Sequence, residues 1–412
     1  MKLRTKQIMV LAMAMTMAMP LSMNAFAEDE VITAKIAVVG PMTGEQAEYG
    51  KQAKNAAEIA VEEWNEKDIQ VDGKTVQFEV AVYDDAGKVD EAAALAEQIV
   101  NDDSIIAIAN GHISSSVALV ACETYQQGGV LCISNAASHP DYAKIGEYVC
   151  RNNIDDEGVS KNCIQTIYRL GYKKVALVGQ QDDFGVSATG FGEDGIFEIQ
   201  ERGGEIEAVY SELIPATQDD YNSVISNVNG SGCDVCVNYG QYMEVAPFCI
   251  QAVKSGVNFD THICDNALDD NLIKVGGEAV EGLYLPSLFN ASSEDERVQE
   301  FVKKFEEHSG GTTPNHIGAL CYDSTCDIMN IVEQTGSIDR KTLMEGAHSI
   351  SYEGITGTII FDDTNNCEKK QVCMKVENGE FVEVPGFLAT WSDFLDEVEN
   401  GTVAVASETE EG

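Results

Sequence analysis

The chain has 412 residues, enough for two domains of ordinary size, and 44% of them are hydrophobic. Its 69 acidic and 26 basic residues give a formal net charge of −43 at pH 7. A surface this acidic repels polyanions, so we expect no binding to nucleic acid or to anionic membrane surfaces.

The first 27 residues have the composition of a secretory signal peptide. A basic start is followed by an apolar run at residues 8–19 and by the small-residue cleavage sequence Ala25-Phe26-Ala27. The run is too short for a convincing membrane span, and no cysteine follows it closely enough to form a lipidation motif. We therefore predict a periplasmic or extracellular protein, cleaved near Ala27 and without a lipid anchor.

Strands and helices alternate through the first part of the mature chain. Residues 35–39 and 78–83 read as buried strands, and residues 50–65 and 89–100 as amphipathic helices. This alternation predicts βαβ units and a parallel sheet.

The stretch from Ser104 to Pro140 predicts two further strand-loop-helix units. Strands at 105–109 and 130–133 each end in a serine-rich turn, at residues 114–116 and 134–138. Ligands of open α/β sheets bind at the carboxyl ends of strands, and serine hydroxyls with free backbone N–H groups suit an anion there. The simpler interpretation is that these serines cap the following helices.

A second α/β unit of similar size begins near Asn153. Strands are predicted at 174–178, 206–210, 233–239 and 261–264, with helices at 159–170, 191–200, 221–228 and 245–253. Residues 179–185 read as a loop. The pattern changes again near residue 282, with helices at 298–308, 317–332 and 340–347 and a hairpin turn at Asn378-Gly379. An acidic tail follows from residue 391.

The sequence contains no conventional catalytic or metal-binding pattern. The six histidines are scattered, and no GxSxG elbow, Walker loop or GxGxxG motif follows a strand. The twelve cysteines allow disulfides in an exported chain, but their pairing stays open, and Cys233 and Cys236 lie in a predicted strand rather than at a helix start. We predict no enzyme activity, no metal and no cofactor.

The ordered motifs resemble those of type I periplasmic binding proteins of the branched-chain amino acid transport family. The segments that carry the resemblance are IAVVGPMTGEQAEYG, VYDDAG, GHISSS, VLCISNAAS, RNN, VALVGQQDDFG, VNYGQYM and GTIIFDD, over about residues 32–385. The resemblance implies an α/β fold of two lobes, each a mostly parallel sheet flanked by helices, joined by three crossings near Asn153, Leu285 and Asp362.

The domain limits follow from these crossings. Residues 1–27 are the signal peptide, and residues 28–153 with 286–362 form lobe 1. Residues 154–285 with 363–390 form lobe 2, and residues 391–412 are the acidic C-terminal tail.

The resemblance also implies a ligand site between the lobes. Ser115 matches the serine that binds the ligand carboxylate, and Ala136 and Ser138 match the next ligand-holding loop. Asp265 matches the acid for the α-ammonium, which is Glu in close relatives. Tyr49 and Tyr242 match aromatic residues near the ligand, and Phe184 stands where relatives often have Tyr.

Each of these residues also has a structural interpretation. Ser115 is then only a helix cap, and Asp265 a surface acid or a cap. Tyr49, Phe184 and Tyr242 are then packed aromatic rings.

The resemblance implies a monomeric solute-binding protein that captures an amino acid, branched-chain or otherwise apolar, and delivers it to the membrane permease of an ABC importer. Related proteins bind amides or urea, and a sensory ligand-binding module can use the same fold. The sequence leaves the identity of the amino acid open.

Overall fold

The computed structural model describes residues 31–215 and 218–404. The predicted signal peptide and the end of the acidic tail lie outside these residues. Among the described residues, no helix combines the length and the apolar character that crossing a bilayer requires.

The described chain alternates strands and helices, as predicted. The strands are β1 (Val31–Gly40), β2 (Gln70–Val71), β3 (Lys74–Asp84), β4 (Ile105–Gly111), β5 (Leu131–Ser134), β6 (Val149–Arg151), β7 (Lys174–Gln180), β8 (Glu207–Ile214), β9 (Val235–Tyr239), β10 (Asp260–Ile263), β11 (Tyr284–Ser287), β12 (Tyr352–Gly354), β13 (Gly357–Ile359), β14 (Val372–Glu377) and β15 (Glu380–Val384). The helices are α1 (Ala47–Trp64), α2 (Val89–Val100), α3 (Ser115–Gly128), α4 (Asp156–Arg169), α5 (Asp183–Glu201), α6 (Asn222–Ser231), α7 (Tyr242–Ser255), α8 (Asp270–Gly276), α9 (Glu296–Ser309), α10 (His316–Thr335), α11 (Arg340–Ala347) and α12 (Trp391–Asn400).

Lobe 1 is built on a six-stranded sheet in the order β2-β3-β1-β4-β5-β6. Every neighbouring pair is parallel except β2 with β3. Side chains of β1 alternate between two apolar layers, because successive residues of a strand face opposite sides of the sheet. Ile36 and Val38 pack with α1, α9 and α10, whereas Ala37 and Val39 pack with α2 and α3.

Lobe 2 is built on a four-stranded parallel sheet in the order β10-β9-β7-β8. Ala176 and Val178 of β7 face the layer of α6 and α7, and Val175 and Leu177 face α4, α5 and α12. An antiparallel sheet, β11-β14-β15, lies beside β10. Its β14–β15 turn is the predicted hairpin, with Asn378 at φ 55° and Gly379 at φ 77°, as a two-residue turn requires.

Helices α5 and α12 differ from the sequence prediction, and α8 was not predicted. Helix α5 begins at Asp183, inside the predicted 179–185 loop, because Asp182 caps it by accepting a hydrogen bond from the Gly185 backbone N–H. The predicted acidic tail begins as helix α12, whose apolar face buries Phe394, Leu395 and Val398 against lobe 2.

We propose lobe boundaries near Asn153, Ser287 and Cys367. Asn153 lies between β6 of the first sheet and α4 of the second lobe. Strand β11 still pairs with β14 through Ser287, and Cys367 still packs in lobe 1. The second and third boundaries therefore lie a few residues beyond the sequence-based ones at 285 and 362.

The cysteines follow the apolar pattern of the chain. All twelve are buried free thiols within the described residues. The sequence pattern of these residues indicates the same result, because a free cysteine in an apolar strand or helix behaves as a small, buried hydrophobic residue.

Candidate ligand-binding site

The two lobes face each other across a pocket at the carboxyl ends of their central strands. This position is where open α/β sheets bind ligands. The space between the lobes is about 500 Å³, including the part open to solvent. Lobe 1 lines it with Gln46, Tyr49, Ile113, Ser114, Ser115, Ala136, Ser138 and Ile317, and lobe 2 with Gln180, Asp182, Phe184, Tyr239, Gln241 and Asn266.

The start of helix α3 forms one end of the pocket. Ser114 is its N-cap residue, yet its side chain makes no capping hydrogen bond, so first-turn N–H groups stay available. The Ser115 hydroxyl oxygen accepts hydrogen bonds from the backbone N–H groups of Ser138 and His139, both at 3.3 Å. Among the described residues no group accepts a hydrogen bond from the Ser115 hydroxyl, so its proton can be donated to an anion.

Buried polar contacts hold the loop between β4 and α3 in place. His112 has φ 69°, a backbone conformation that is uncommon for a residue other than glycine. Its Nδ1 lies 2.7 Å from Asp85 Oδ2, and its Nε2 lies 3.2 Å from the Tyr125 hydroxyl. These contacts fix the turn that delivers Ser114 and Ser115 to the pocket.

The loop after β5 supplies Ala136 and Ser138. The Ala136 N–H donates to the Ser134 hydroxyl at 3.3 Å, and its carbonyl accepts from Asn153 Nδ2 at 3.0 Å. The Ser138 carbonyl accepts from Nη1 of the buried Arg151 at 2.9 Å. Side chains from the lobe-1 to lobe-2 crossing thus position this wall of the pocket.

Helix α1 brings lobe 1 into direct contact with lobe 2. A Cβ atom on Gly50 would lie 2.1 Å from the Pro41 carbonyl oxygen, so glycine permits the close approach of α1 to the loop after β1. The neighbouring Tyr49 hydroxyl donates to the Asn266 carbonyl at 2.7 Å, and Gln46 Nε2 donates to Gln241 Oε1 at 3.2 Å. Both bonds join the lobes, so the structure is a closed form.

The start of helix α5 makes the facing wall in lobe 2. A Cβ atom on Gly185 would lie 2.3 Å from the backbone of Gln180, so this glycine lets α5 begin directly against the end of β7. The close approach puts Gln180, Asp182 and Phe184 on the pocket wall.

The structure places five of the seven predicted site residues on the pocket wall, and the other two do not line the pocket. Tyr49, Ser115, Ala136, Ser138 and Phe184 line the pocket. The Tyr242 ring packs against the Tyr49 ring, with 5.9 Å between their centroids. Asp265 is buried behind its neighbour Asn266, which is the residue of this turn that faces the pocket.

Asp265 has a neutral partner instead of a cation. Gln371 Nε2 donates to its Oδ2 at 2.8 Å, and its Oδ1 has no hydrogen-bond partner among the described residues. Burial raises the pKa of Asp265 to about 7, and the nearby Asp156 carboxylate adds to the rise. Its predicted role toward a ligand ammonium stays a prediction.

We expect Asp265→Asn to stabilise the protein above about pH 7. The raised pKa means that protonated Asp265 contributes stability fully below about pH 4, and that this contribution is lost as the pH rises to about 7. Asn stays neutral and still accepts from Gln371, so the gain should reach on the order of 4 kcal/mol at high pH. Denaturant unfolding at pH 5 and pH 8 measures it, with the exposed Asp183→Asn as control. A gain of equal size at both pH values would contradict the expectation.

Several pocket residues were not predicted from the sequence. Gln180 and Tyr239 are the last residues of β7 and β9. The rule that ligands bind at the carboxyl ends of strands, which identified the serines of lobe 1, also applies to these two residues. Gln46, Gln241, Asp182 and Asn266 lie in loops and helix starts, where no local pattern marks them.

Comparisons with known proteins agree with this architecture. A family model described as periplasmic binding protein matches residues 33–379. The leucine-, isoleucine-, valine-, threonine- and alanine-binding protein of Pseudomonas aeruginosa is 26% identical over 334 residues, which are 80% of this chain and 86% of that protein.

Two solved structures are similar over 85% of the chain. The leucine-binding protein LivK from Thermotoga maritima is 25% identical, with a TM-score of 0.75 over 97% of its own chain. A solute-binding protein of an ABC transporter from Rhodopseudomonas palustris BisB5, in complex with 3,4-dihydroxybenzoic acid, is 24% identical, with a TM-score of 0.76 over 96% of its chain. Because its identity to this chain is below 25%, the Rhodopseudomonas palustris structure supports the fold of this chain and not its ligand.

These likenesses confirm the predicted two-lobed α/β fold, with a parallel sheet and flanking helices in each lobe. The family match spans nearly all of the two lobes that form the pocket. The chain belongs to the periplasmic binding protein family.

Proposed function

We propose that this protein captures an amino acid with an apolar side chain between its lobes and delivers it to the membrane permease of an ABC importer, outside the cytoplasm. The observation that carries the proposal is the start of α3, where Ser115 offers a free hydroxyl proton and no basic residue lies among the described residues of the pocket wall. Neutral donors at a helix start suit a carboxylate. Ile113, Ile317 and Phe184 supply apolar contact for a side chain.

The closed form fits a binding mechanism in which the ligand joins the lobes. Each lobe contributes a separate part of the wall, so a ligand that touches both parts binds the closed form better than the open one. Such differential binding shifts a hinge equilibrium toward closure. The closed shape is then what the permease recognises.

A polar neutral solute of the amide or urea type is the second candidate. Four side-chain amides, those of Gln46, Gln180, Gln241 and Asn266, line the pocket. Amides both donate and accept, so they complement a ligand that does the same. The names of the relatives favour amino acids.

A thermal-shift screen tests the two candidates. A ligand that binds only the folded protein raises its apparent stability in proportion to the logarithm of concentration over Kd. We expect branched-chain amino acids to raise the unfolding temperature, and acetamide, urea and benzoate to leave it unchanged. Stabilisation by the amides and not by any free amino acid would reverse the order of the candidates.

We expect Tyr49→Phe to weaken L-leucine binding by about three- to tenfold, because an interlobe hydrogen bond of about 1 kcal/mol is lost from the closed form. The ring that lines the pocket is retained. Titration calorimetry measures the affinity, and X-ray scattering measures how far the ligand compacts the protein. Tyr242→Phe is the matched control, since its ring packs on Tyr49 and does not line the pocket. Equal affinity of Tyr49→Phe and wild type would show that the bond to Asn266 does not support closure.

A further inference from the structure

We propose that Asp182 is the group that binds the ligand's cationic end, so that the pocket selects zwitterions over acids of the same carbon skeleton. The inference rests on the proposed function, because it concerns the same pocket. Among the described residues that line it, Asp182 is the one acidic or basic side chain.

The position of Asp182 leaves part of its carboxylate available. Its Oδ1 accepts the hydrogen bond from the Gly185 N–H at 2.7 Å, which caps α5. Its Oδ2 is not used by that cap and can accept from another donor. Burial raises the pKa of Asp182, and the neighbouring Asp183 charge raises it further. No cation of the described residues lowers this pKa, so the charged carboxylate has no compensating cation. An ammonium would supply that compensation.

The other buried acids of lobe 2 do not line the pocket. Asp265 pairs with Gln371 behind the wall, and Glu244 accepts from the Gln241 N–H at 3.0 Å in the capping box of α7. Asp156 is buried beside Ser138 of lobe 1 and Ser187 of lobe 2. Asp269 accepts from the Asn271 N–H at 2.8 Å and from Asn315 Nδ2 of lobe 1 at 3.5 Å. None of these four acids lines the pocket.

Asp182 and Ser115 belong to different lobes, so a ligand that binds both residues must bridge the lobes. A ligand with an anion at one end and a cation at the other meets the helix start of lobe 1 and the carboxylate of lobe 2 at the same time. Each end alone engages only one lobe. A zwitterion therefore favours closure more strongly than either charge alone.

The test compares two probes on variants that keep the fold. L-leucine carries the ammonium, and 4-methylpentanoate is the same skeleton without it. Asp182→Asn removes the charge but keeps an oxygen that caps α5, since Asn is as good a cap as Asp. Asp183→Asn removes a neighbouring exposed charge that does not line the pocket. Asp265→Asn tests the acid behind the wall, and thermal unfolding confirms that each variant folds.

We expect the wild type to prefer L-leucine, and Asp182→Asn to weaken L-leucine binding at least tenfold while 4-methylpentanoate binds as well as before or better. Asp183→Asn should keep the wild-type preference. If the wild type binds both probes and Asp182→Asn leaves their ratio unchanged, Asp182 is not the cation site, although the carboxylate pocket stands. If Asp265→Asn alone lost the preference for L-leucine over 4-methylpentanoate, Asp265 would be the group that binds the ligand's ammonium. A wild type that binds neither probe nor any other free amino acid would overturn the proposed function and this inference with it.

Discussion

Ser115→Ala should weaken L-leucine binding by about 100-fold, because a hydrogen bond to a charged group contributes about 1.5–3 kcal/mol and a tenfold change corresponds to about 1.4 kcal/mol. The substitution removes the proton that the hydroxyl can give to a carboxylate. It also leaves the Ser138 and His139 N–H groups without their acceptor. Titration calorimetry with L-leucine measures the loss.

Ser116→Ala is the matched control for this effect. Ser116 is the next residue of the same helix and does not line the pocket. We expect it to bind L-leucine like the wild type. If Ser115→Ala and Ser116→Ala bound equally well, the start of α3 would not be the carboxylate site. Unchanged thermal unfolding of the unliganded Ser115→Ala protein would assign the loss to the ligand contact.

The second large effect is expected from Arg151, a buried cation at the crossing between the lobes. Its Nη1 donates to the carbonyls of Ser138 and His139 at 2.9 and 3.1 Å, and its Nη2 donates to Asn366 Oδ1 at 2.6 Å. The guanidinium therefore joins the β5 loop, strand β6 and the third crossing. Arg151→Ala leaves buried acceptors unpaired and should lower the free energy of unfolding by about 3–5 kcal/mol.

Denaturant unfolding measures this loss, and two variants serve as controls. Arg151→Lys keeps the charge but cannot reproduce the forked geometry, so we expect an intermediate stability. Arg169→Ala removes another buried arginine, which bonds Glu397 in α12 far along the chain from the Ser138 loop. It should lower stability without weakening L-leucine binding, whereas Arg151→Ala should weaken both. An Arg151→Ala protein as stable as the wild type would show that water replaces the guanidinium at these carbonyls.

Ser115, Ala136 and Ser138, which were predicted from the sequence, lie together on the lobe-1 side of the pocket wall, and their role toward a ligand stays a prediction. Strands β4 and β5 are adjacent and parallel, so the serine-rich turns that follow them lie side by side. Chain order alone therefore predicts that Ser115, Ala136 and Ser138 meet. The Asn378-Gly379 turn was equally predictable, because only a few residue types accept positive φ at both turn positions.

Of the three predicted lobe-2 residues, Phe184 lines the pocket and Tyr242 and Asp265 do not, because a shift of one residue past the end of a strand changes which side chain faces the cleft. Asp265 and Asn266 are consecutive, yet Asp265 turns toward Gln371 and Asn266 toward the pocket. Likewise Tyr239 ends β9 on the pocket wall, while Tyr242 begins α7 behind it. Family resemblance located both turns, but not the residues within them.

By itself, the sequence determined the alternating α/β order, the restart near Asn153 and the serine turns at the strand ends, because periodicity and turn chemistry act over a few neighbouring residues. Only the tertiary structure decided that Gln46 meets Gln241, that Tyr49 meets Asn266, and that Asp182 is the acid on the wall. These contacts depend on how the two separately folded lobes approach each other, and no local sequence pattern encodes the distance between the lobes.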